Sequence, residues 1–194
     1  MENIIPRYEY RFFTTDKSLI MSLKSRVEIT QIRDSYETYI LQHLNSEINC
    51  KIRHNTLDVK VFLEELNGNE LWTPKIKAEF PIAVSIIRNE LSTYLPVDCK
   101  ETKSALSQDE LFELCIRPGP HLKYVEIHKE RMGFMNFDCI GEIATITTNG
   151  QQHTTFALES EDTNAIWKAR KSLGIDNIAN ENYIRALKRI YNFK

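Results

Sequence analysis

Residues 48–60 read INCKIRHNTLDVK, and this stretch contains the pattern that predicts the fold. Apolar and polar residues alternate on both sides of a His54-Asn55 turn. The apolar set is Ile48, Cys50, Ile52, Leu57 and Val59, and the polar set is Asn49, Lys51, Arg53, Asp58 and Lys60. A period of two is typical of β-strands whose two faces meet different surroundings. The stretch therefore predicts a β-hairpin with one apolar face and one charged face.

Similar strands are predicted along most of the chain, at 7–13, 35–41, 48–53, 57–64, 75–79, 122–132, 139–147 and 153–161. Asn67-Gly68 and Asn149-Gly150 are dipeptides that favour tight hairpin turns. About eight strands result, and this number can close into a barrel with a filled or ligand-sized interior.

Helices are predicted at 18–27, from Pro81 to Leu95, after a capping box at 107–110, from Asp162 to Gly174, and at 180–191. Pro81 suits the first turn of its helix, and Asp162 and Gly174 suit the two ends of theirs. The chain shows no repeat, low-complexity tract or linker. Residues 1–194 are therefore predicted to form a single α+β domain.

The composition is that of an ordinary globular protein, with 42% hydrophobic and 27% charged residues. A formal net charge of −2 gives no overall field that attracts nucleic acid or an anionic membrane, so an anion site must be local. Four widely spaced cysteines favour reduced thiols and argue against a zinc site. Because signal-peptide features and a span of roughly 20 apolar residues are both missing, we expect a cytoplasmic protein without a membrane partner.

Charged residues spaced by two recur on the predicted strands. The set is Glu9 and Arg11, Lys51 and Arg53, Lys60, Lys129 and Arg131, and Glu159 and Glu161. Each group alone is typical of a strand face that is exposed to water. Their recurrence favours convergence of both signs inside a closed barrel. Such a mixture fits a metal–triphosphate site, because arginine binds phosphate oxygens and a hard cation bridges carboxylates to phosphates.

Two details stay open in the sequence. Glu161 follows Glu159 on the same strand face, but it is also placed to cap the next helix, where a carboxylate is favourable. Lys129 shares its strand face with the apolar Val125 and Ile127. A β-bulge would separate the apolar residues from the charged one, although the sequence does not place it.

In this order, the charged motifs resemble those of the CYTH superfamily, the triphosphate tunnel metalloenzymes that include thiamine triphosphatases and class IV adenylyl cyclases. The resemblance spans nearly the whole chain. It rests on Glu9-Tyr10-Arg11, Lys51-Ile52-Arg53, Leu57-Asp58-Val59-Lys60, Lys129-Glu130-Arg131, Glu159-Ser160-Glu161 and Asn182-Tyr183, the last similar to the family's Ser-Tyr. The segment from Leu71 to Pro81 is similar to a divergent bacterial CYTH-like subgroup.

The resemblance implies an eight-stranded antiparallel β-barrel tunnel with helices packed outside. By position, it implies that substrate phosphates are bound by Arg11, Lys51, Arg53, Lys60, Lys129 and Arg131. It implies that Mg²⁺ or Mn²⁺ is held by Glu9, Glu142, Glu159 and Glu161. Glu9, Arg11 and Lys60 are also implied to be catalytic, in a metal-assisted attack of water on a terminal phosphorus.

The first strand departs from the family signature Glu-x-Glu-x-Lys, because this chain has Arg7-x-Glu9-x-Arg11. Arg11 keeps the positive charge, whereas Arg7 replaces a metal-coordinating carboxylate and argues against a second metal. Two functions therefore remain open. One is a divergent metal-dependent phosphohydrolase that acts on a triphosphate-containing substrate. The other is a non-catalytic module that binds phosphate or polyphosphate with a degraded metal site.

The expected partner is a small-molecule triphosphate or polyphosphate. The sequence does not determine whether it is a nucleotide, thiamine triphosphate or inorganic polyphosphate, nor whether the chemistry is that of a cyclase or a hydrolase. Acidic residues interleaved with the basic ones argue against a nucleic-acid partner. The oligomeric state stays open between a monomer and a homodimer.

Overall fold

The computed structural model describes residues 5–117 and 119–193. Within these ranges the strands are β1 (Arg7–Thr14), β2 (Ile29–Gln42), β3 (Ile48–Arg53), β4 (Thr56–Leu66), β5 (Asn69–Glu79), β6 (Ile82–Ala83), β7 (Ala105–Leu106), β8 (Leu122–Asn136), β9 (Cys139–Thr148) and β10 (Gln151–Ser160). The helices are α1 (Lys17–Lys24), α2 (Val84–Asn89), α3 (Gln108–Leu114), α4 (Thr163–Leu173) and α5 (Tyr183–Ile190), and a 3₁₀ turn spans Leu91–Thr93.

Eight of the described strands form a closed antiparallel barrel in the order β1-β10-β9-β8-β2-β3-β4-β5. The barrel closes where β1 pairs with β5, which makes Glu9 and Glu70 neighbours across the two strands. Strands β6 and β7 pair separately as a short ribbon. The structure therefore confirms the predicted eight-stranded antiparallel barrel with helices outside it.

Tight turns connect four pairs of neighbouring strands in the described chain. At His54-Asn55, Asn67-Gly68, Phe137-Asp138 and Asn149-Gly150, both residues have positive φ values, between 47° and 73°. Two consecutive residues of this kind form a type I′ turn, whose twist matches that of the flanking strands. The sequence predicts three of these turns, which the structure confirms. It does not indicate Phe137-Asp138, because that dipeptide lacks the usual asparagine or glycine.

The apolar faces of the strands point outward, where helices cover them. Helices α2 and α3 and the β6–β7 ribbon pack against β2 to β5, around residues such as Ile52, Val59 and Ile87. Helices α1 and α4 pack against β1, β9 and β10, around Tyr10 and Phe156. Burial of each large apolar side chain contributes about 1.5–3 kcal/mol, so these two outer layers strongly stabilise the barrel. The alternate, charged faces of the strands are left for the interior.

The C-terminal helix α5 closes one end of the barrel. Its apolar side packs among interior residues of β2, β8 and β9. The helix contributes Tyr183, Ile184 and Leu187, and the strands contribute Tyr39, Leu41, Val125, Ile127 and Ile146. The Nζ atom of Lys188 donates hydrogen bonds of 3.0 Å to the carbonyl oxygens of His43 and Asn45, which fastens α5 to the β2–β3 connection. One end of the interior is therefore apolar and filled.

Strand β8 runs through both halves of the interior. Val125, Ile127, Lys129 and Arg131 share one face, because the pairing of β8 with β2 and β9 is regular from residue 122 to residue 133. The β-bulge considered from the sequence is therefore wrong. All four residues point into the barrel. Val125 and Ile127 pack against α5 in the apolar half of the interior, and Lys129 and Arg131 lie in its charged half.

The segment after β5 differs from the helix that the sequence predicts over 81–95. Ile82 pairs with Leu106 instead, so α2 begins only at Val84 and ends at Asn89. A 3₁₀ turn follows in place of further α-helix. The sequence does not reveal β6 and β7, because two-residue strands are too short to show a period.

The other helices agree more closely with the sequence. The capping box of Ser107 and Glu110 is confirmed, as are the Asp162 cap and the left-handed end at Gly174. Helix α5 begins at Tyr183 rather than at residue 180, because Asn182 caps it. None of the described helices is long and apolar enough to cross a membrane.

Replacement of Gly141 by alanine is expected to destabilise the protein, because a Cβ atom there would overlap the ring of Phe134. Phe134 is buried and packs against Phe156, with 5.7 Å between ring centroids, so it has little room to move. We expect the free energy of unfolding to fall by about 1–3 kcal/mol in urea denaturation. Gly133→Ala is the control, because its Cβ atom would meet no atom closer than 3.6 Å. Equal losses in both variants would contradict this packing.

Candidate functional site

The charged half of the barrel interior encloses a cavity of about 150 Å³. Six basic residues line it: Arg11, Lys51, Arg53, Lys60, Lys129 and Arg131. Four acidic residues line it as well: Glu9, Asp58, Glu142 and Glu159. Tyr39, Asn49 and Tyr183 complete the lining. We call this cavity the tunnel site.

The tunnel site opens to a larger cavity of about 590 Å³ at the mouth of the barrel. The two cavities share lining residues, among them Glu9, Lys60 and Glu159. Arg7 and Glu161 line only the mouth, where their side chains are 45% and 53% exposed and Nε lies 4.0 Å from a carboxylate oxygen. The side chains of Arg7 and Glu161 at the mouth are therefore exposed to solvent, and the ion pair between them is weak.

The structure brings together most of the residues that the sequence singles out. All six residues that the resemblance assigns to phosphate binding line the tunnel site, with Glu9, Glu142 and Glu159 beside them. Glu161 is the exception, because it lies beyond the end of β10 at the mouth. The sequence also allows these charged strand faces to be exposed to water, and that interpretation is wrong for the residues that line the tunnel site. The role of each residue in binding or catalysis stays a prediction.

Strand pairing explains why these residues meet. Residues that pair across neighbouring antiparallel strands point to the same side of the sheet. Glu9 pairs with Glu159, and Lys51 pairs both with Tyr39 and with Asp58. Each inward position on one strand therefore places its neighbour inward too, all the way around the closed barrel.

Glu142 is bound by three basic side chains. Its carboxylate lies 2.8 Å from Lys129 Nζ, 3.2 Å from Arg11 Nη1 and 3.6 Å from Arg131 Nη1. Burial alone would raise the pKa of Glu142, but the charges and hydrogen bonds of Lys129 and Arg11 hold the pKa well below its ordinary value. Glu142 is therefore ionised and serves as a counter-ion within the tunnel site.

Glu37 is a second internal counter-ion, and the sequence analysis misses it. Its side chain is fully buried, with carboxylate oxygens 3.3 Å from Lys51 Nζ and 3.4 Å from Arg53 Nη1. Burial opposes ionisation, but Lys51, Lys129 and Arg53 lower the pKa of Glu37 to about 2. The sequence signal that could have identified Glu37 is its spacing of two residues from Tyr39, because residues two apart on a strand share a face and Tyr39 lines the cavity.

Glu9 and Glu159 are direct neighbours on β1 and β10. Glu9 accepts a 2.8 Å hydrogen bond from Arg11 Nε. Although burial opposes it, the charges of Arg11 and Lys60 lower the pKa of Glu9. The pKa of Glu159 is raised, first by burial and then by the charge of Glu9. The cations around the pair therefore balance the negative charge of Glu9 better than that of Glu159.

The donor atoms around this pair suit a hard cation only in part. Carboxylate oxygens are the ligands that Mg²⁺ and Mn²⁺ prefer. Among the described residues, however, no group of three or more His, Cys, Asp or Glu side chains is arranged to hold a metal. Mg²⁺ is commonly held by one or two carboxylates together with substrate phosphates. Glu9 and Glu159 fit that arrangement, in which an anion supplies the remaining oxygen ligands.

Solved structures with similar folds cover nearly the whole chain. A putative adenylate cyclase from Bacillus halodurans matches with a TM-score of 0.53 and 13% identity, over 92% of this chain and 95% of that one. A protein from Pyrococcus horikoshii gives the same TM-score and identity, over 92% and 97%. A putative adenylyl cyclase from Hippeastrum, described as having a dominant triphosphatase activity, matches with a TM-score of 0.50 and 10% identity, over 88% and 89%.

These similarities concern the fold. The chain has the CYTH-like tunnel fold that its charged motifs indicate, which confirms the resemblance at the level of architecture. No protein-family model matches the chain. No curated protein matches it either.

Glu159→Gln is expected to stabilise the ligand-free protein at pH 7, because it removes a buried carboxylate whose pKa is raised by burial and by Glu9. A raised pKa in the folded state means that stability is lost as the pH rises through that value. In urea denaturation we expect a higher free energy of unfolding than that of the wild-type protein at pH 7, and this gain should disappear below the ordinary pKa of 4.5.

Glu161→Gln is the matched control, because Glu161 is exposed at the mouth. Its effect at pH 7 should be within about 0.5 kcal/mol. A clear loss of stability in the Glu159→Gln variant at pH 7 would contradict this expectation. It would show that neighbouring cations already stabilise the ionised Glu159 carboxylate in the ligand-free protein.

Proposed function

We propose that this chain binds a triphosphate-containing anion in the tunnel site and hydrolyses a phosphoanhydride bond with the help of a divalent cation. The observation that carries the proposal is the convergence of six basic side chains in one closed-ended cavity. They outnumber the four acidic residues of the lining and Glu37 taken together, so the balance of charge in the site favours an anion.

The basic residues are arranged to bind successive phosphates. Arg11, Lys129 and Arg131 surround Glu142, and Lys51 and Arg53 flank Glu37. Arginine binds phosphate oxygens with two parallel hydrogen bonds, whereas lysine acts as a compact charge. In this proposal, Arg11 and Lys60 also stabilise the charge that develops on the phosphoryl group.

Glu9 and Glu159 are the residues that would hold Mg²⁺ or Mn²⁺, together with phosphate oxygens. A bound cation of this kind neutralises charge on the transferred phosphoryl group and favours attack by water. Glu142 and Glu161 are weaker candidates, because Glu142 is bound by three cations and Glu161 faces Arg7 at the mouth. The proposal therefore assigns one cation to the site, next to the Glu9–Glu159 pair.

The fold neighbours are compatible with this chemistry. The Hippeastrum protein is described as a triphosphatase, and the Bacillus halodurans protein as a putative adenylate cyclase. Both descriptions involve the triphosphate group of a substrate. The proposal therefore specifies a phosphate chain, in a nucleotide, thiamine triphosphate or inorganic polyphosphate, and leaves the group attached to it open.

A second function, anion binding without catalysis, is favoured by Arg7. Arg7 places a cation at the mouth, where the family signature has a carboxylate, and its guanidinium lies 4.0 Å from Glu161. A positive charge there opposes metal binding while it favours an anion. In this alternative the basic residues keep their binding role, but no hydrolysis follows.

The test is phosphate release from tripolyphosphate and from ATP, measured with Mg²⁺, with Mn²⁺ and with EDTA. We expect release with a divalent cation and none with EDTA. Glu159→Gln should reduce hydrolysis by at least about a hundredfold and still bind tripolyphosphate, whereas Arg53→Ala should weaken binding by about tenfold or more. Lys168→Ala, on the exposed side of α4, is the control and should change neither quantity.

The outcomes separate the two functions. Metal-dependent release that disappears in the Glu159→Gln variant supports the hydrolase. Absence of release, together with clear thermal stabilisation by tripolyphosphate, supports the binding module. If tripolyphosphate neither is hydrolysed nor raises the melting temperature, both functions are wrong.

A further inference from the structure

Several buried polar atoms in the tunnel site have no hydrogen-bond partner among the described residues. They are the hydroxyl of Tyr183, Nε of Arg131 and Oδ1 of Asn49, and all three residues line the cavity of about 150 Å³. Buried polar atoms are almost always hydrogen-bonded, because an unpaired one costs about as much as a lost hydrogen bond. The Tyr183 hydroxyl and Arg131 Nε are donors, so an anionic ligand in the cavity would satisfy both, whereas Asn49 Oδ1 is an acceptor and an anion would not satisfy it.

Tyr183 stands out in this group because of what surrounds its ring. The ring lies 4.6 Å from Arg11 Cζ and 4.9 Å from Lys129 Nζ, measured to its centroid. The ring also stacks on Tyr39, with 5.3 Å between centroids and 16° between ring planes. Tyr183 thus contacts two of the basic residues that surround Glu142, at the closed end of the tunnel site.

The start of α5 is held firmly in this position. The side-chain amide of Asn182 donates to both carboxylate oxygens of Glu70, at 3.1 Å and 2.9 Å. Glu70 also accepts a 3.1 Å hydrogen bond from Trp72 Nε1 and pairs with Arg185 at 2.9 Å. These contacts fix the backbone next to Tyr183, so its hydroxyl is positioned before any ligand arrives.

The hydroxyl is a donor in this environment. Burial, together with nearby carboxylates, raises the pKa of Tyr183 well above its ordinary value, although Arg11 opposes the shift. A protonated phenol donates its hydrogen to an anionic oxygen, and hydrogen bonds to charged groups are stronger than those between neutral groups.

We propose that Tyr183 contacts the bound anion directly, by donating a hydrogen bond from its hydroxyl to a phosphate oxygen at the closed end of the tunnel site. Arg131 Nε is a second unpartnered donor in the lining of the same cavity. The inference rests on the proposed anion binding, but not on hydrolysis or on a metal. It makes the first residue of α5 part of the binding site, in addition to its packing role at the end of the barrel.

Two tyrosine-to-phenylalanine variants test this proposal. Tyr183→Phe keeps the ring, its stacking and its cation contacts, and it removes only the unpartnered hydroxyl. Tyr191→Phe is the matched control, because the Tyr191 hydroxyl lies 2.7 Å from Thr148 Oγ1 and is already hydrogen-bonded. Binding of sodium tripolyphosphate is measured by isothermal titration calorimetry with EDTA present, and the stability of the ligand-free protein by thermal denaturation.

We expect opposite behaviour from the two variants. Tyr183→Phe should weaken tripolyphosphate binding by about tenfold or more, and it should raise or preserve the melting temperature of the ligand-free protein, because it removes a buried hydroxyl that has no partner there. Tyr191→Phe should lower that melting temperature and leave the affinity unchanged.

Three results would overturn the inference. One is wild-type affinity in Tyr183→Phe, and another is a lower melting temperature in that variant, because the hydroxyl would then have a structural partner. If the wild-type protein itself does not bind tripolyphosphate, anion binding in the tunnel fails and this inference fails with it.

Discussion

Neutralisation of buried charge is the constraint on which the tunnel depends. Two carboxylates form ion pairs with five of the six cations in the tunnel site, and Arg11 pairs with Glu9 as well. Glu37 pairs with Lys51 and Arg53, and Glu142 pairs with Arg11, Lys129 and Arg131. Unpaired buried ions cost several kcal/mol each, so this cluster of cations requires internal counter-ions in order to fold. The protein therefore carries its own anions in the place where we propose that a phosphate chain binds.

The same constraint determines the rest of the architecture. A charged interior leaves only the outer faces of the strands to form a hydrophobic core, and those faces need a cover. Helices α1, α2, α3 and α4 and the β6–β7 ribbon provide it. Helix α5 instead enters the end of the barrel, where Val125 and Ile127 replace charges on the inward face of β8. The boundary between apolar and charged interior thus determines how deep the tunnel is.

The sequence predicts the parts of this arrangement that follow from local pattern. Alternation in β1, β3 and β4 identifies the charged residues that share one strand face, and the Asn-Gly dipeptides identify two of the turns. The direction of the charged face does not follow from alternation, because a period of two fits a charged exterior equally well. Closure of the barrel settles that direction. In β8, regular pairing likewise excludes the bulge that mixed side chains on one face suggest.

The remaining features depend on tertiary contacts and escape the sequence. Glu37 is a single acidic residue on a strand without a neighbouring charged pair, so only the positions of Lys51 and Arg53 reveal its role. Tyr183 is part of a family-like dipeptide, but its contacts with Arg11 and Lys129 depend on how α5 enters the barrel. The ribbon of β6 and β7 is too short to show any period.

Internal counter-ions change how affinity arises in such a site. An anion that enters the tunnel competes with Glu37 and Glu142 for the same nitrogen atoms, so each new ion pair is offset by one that weakens. The gain from the paired cations is therefore a difference between two similar interactions. Donors that are unpartnered in the empty protein differ, because Tyr183 and Arg131 Nε exchange no existing bond when they meet an anion. If the proposed anion binds, contacts of this second kind would contribute most per hydrogen bond, so the unpartnered donors inside the barrel would contribute more to its affinity than the exposed charges at the mouth.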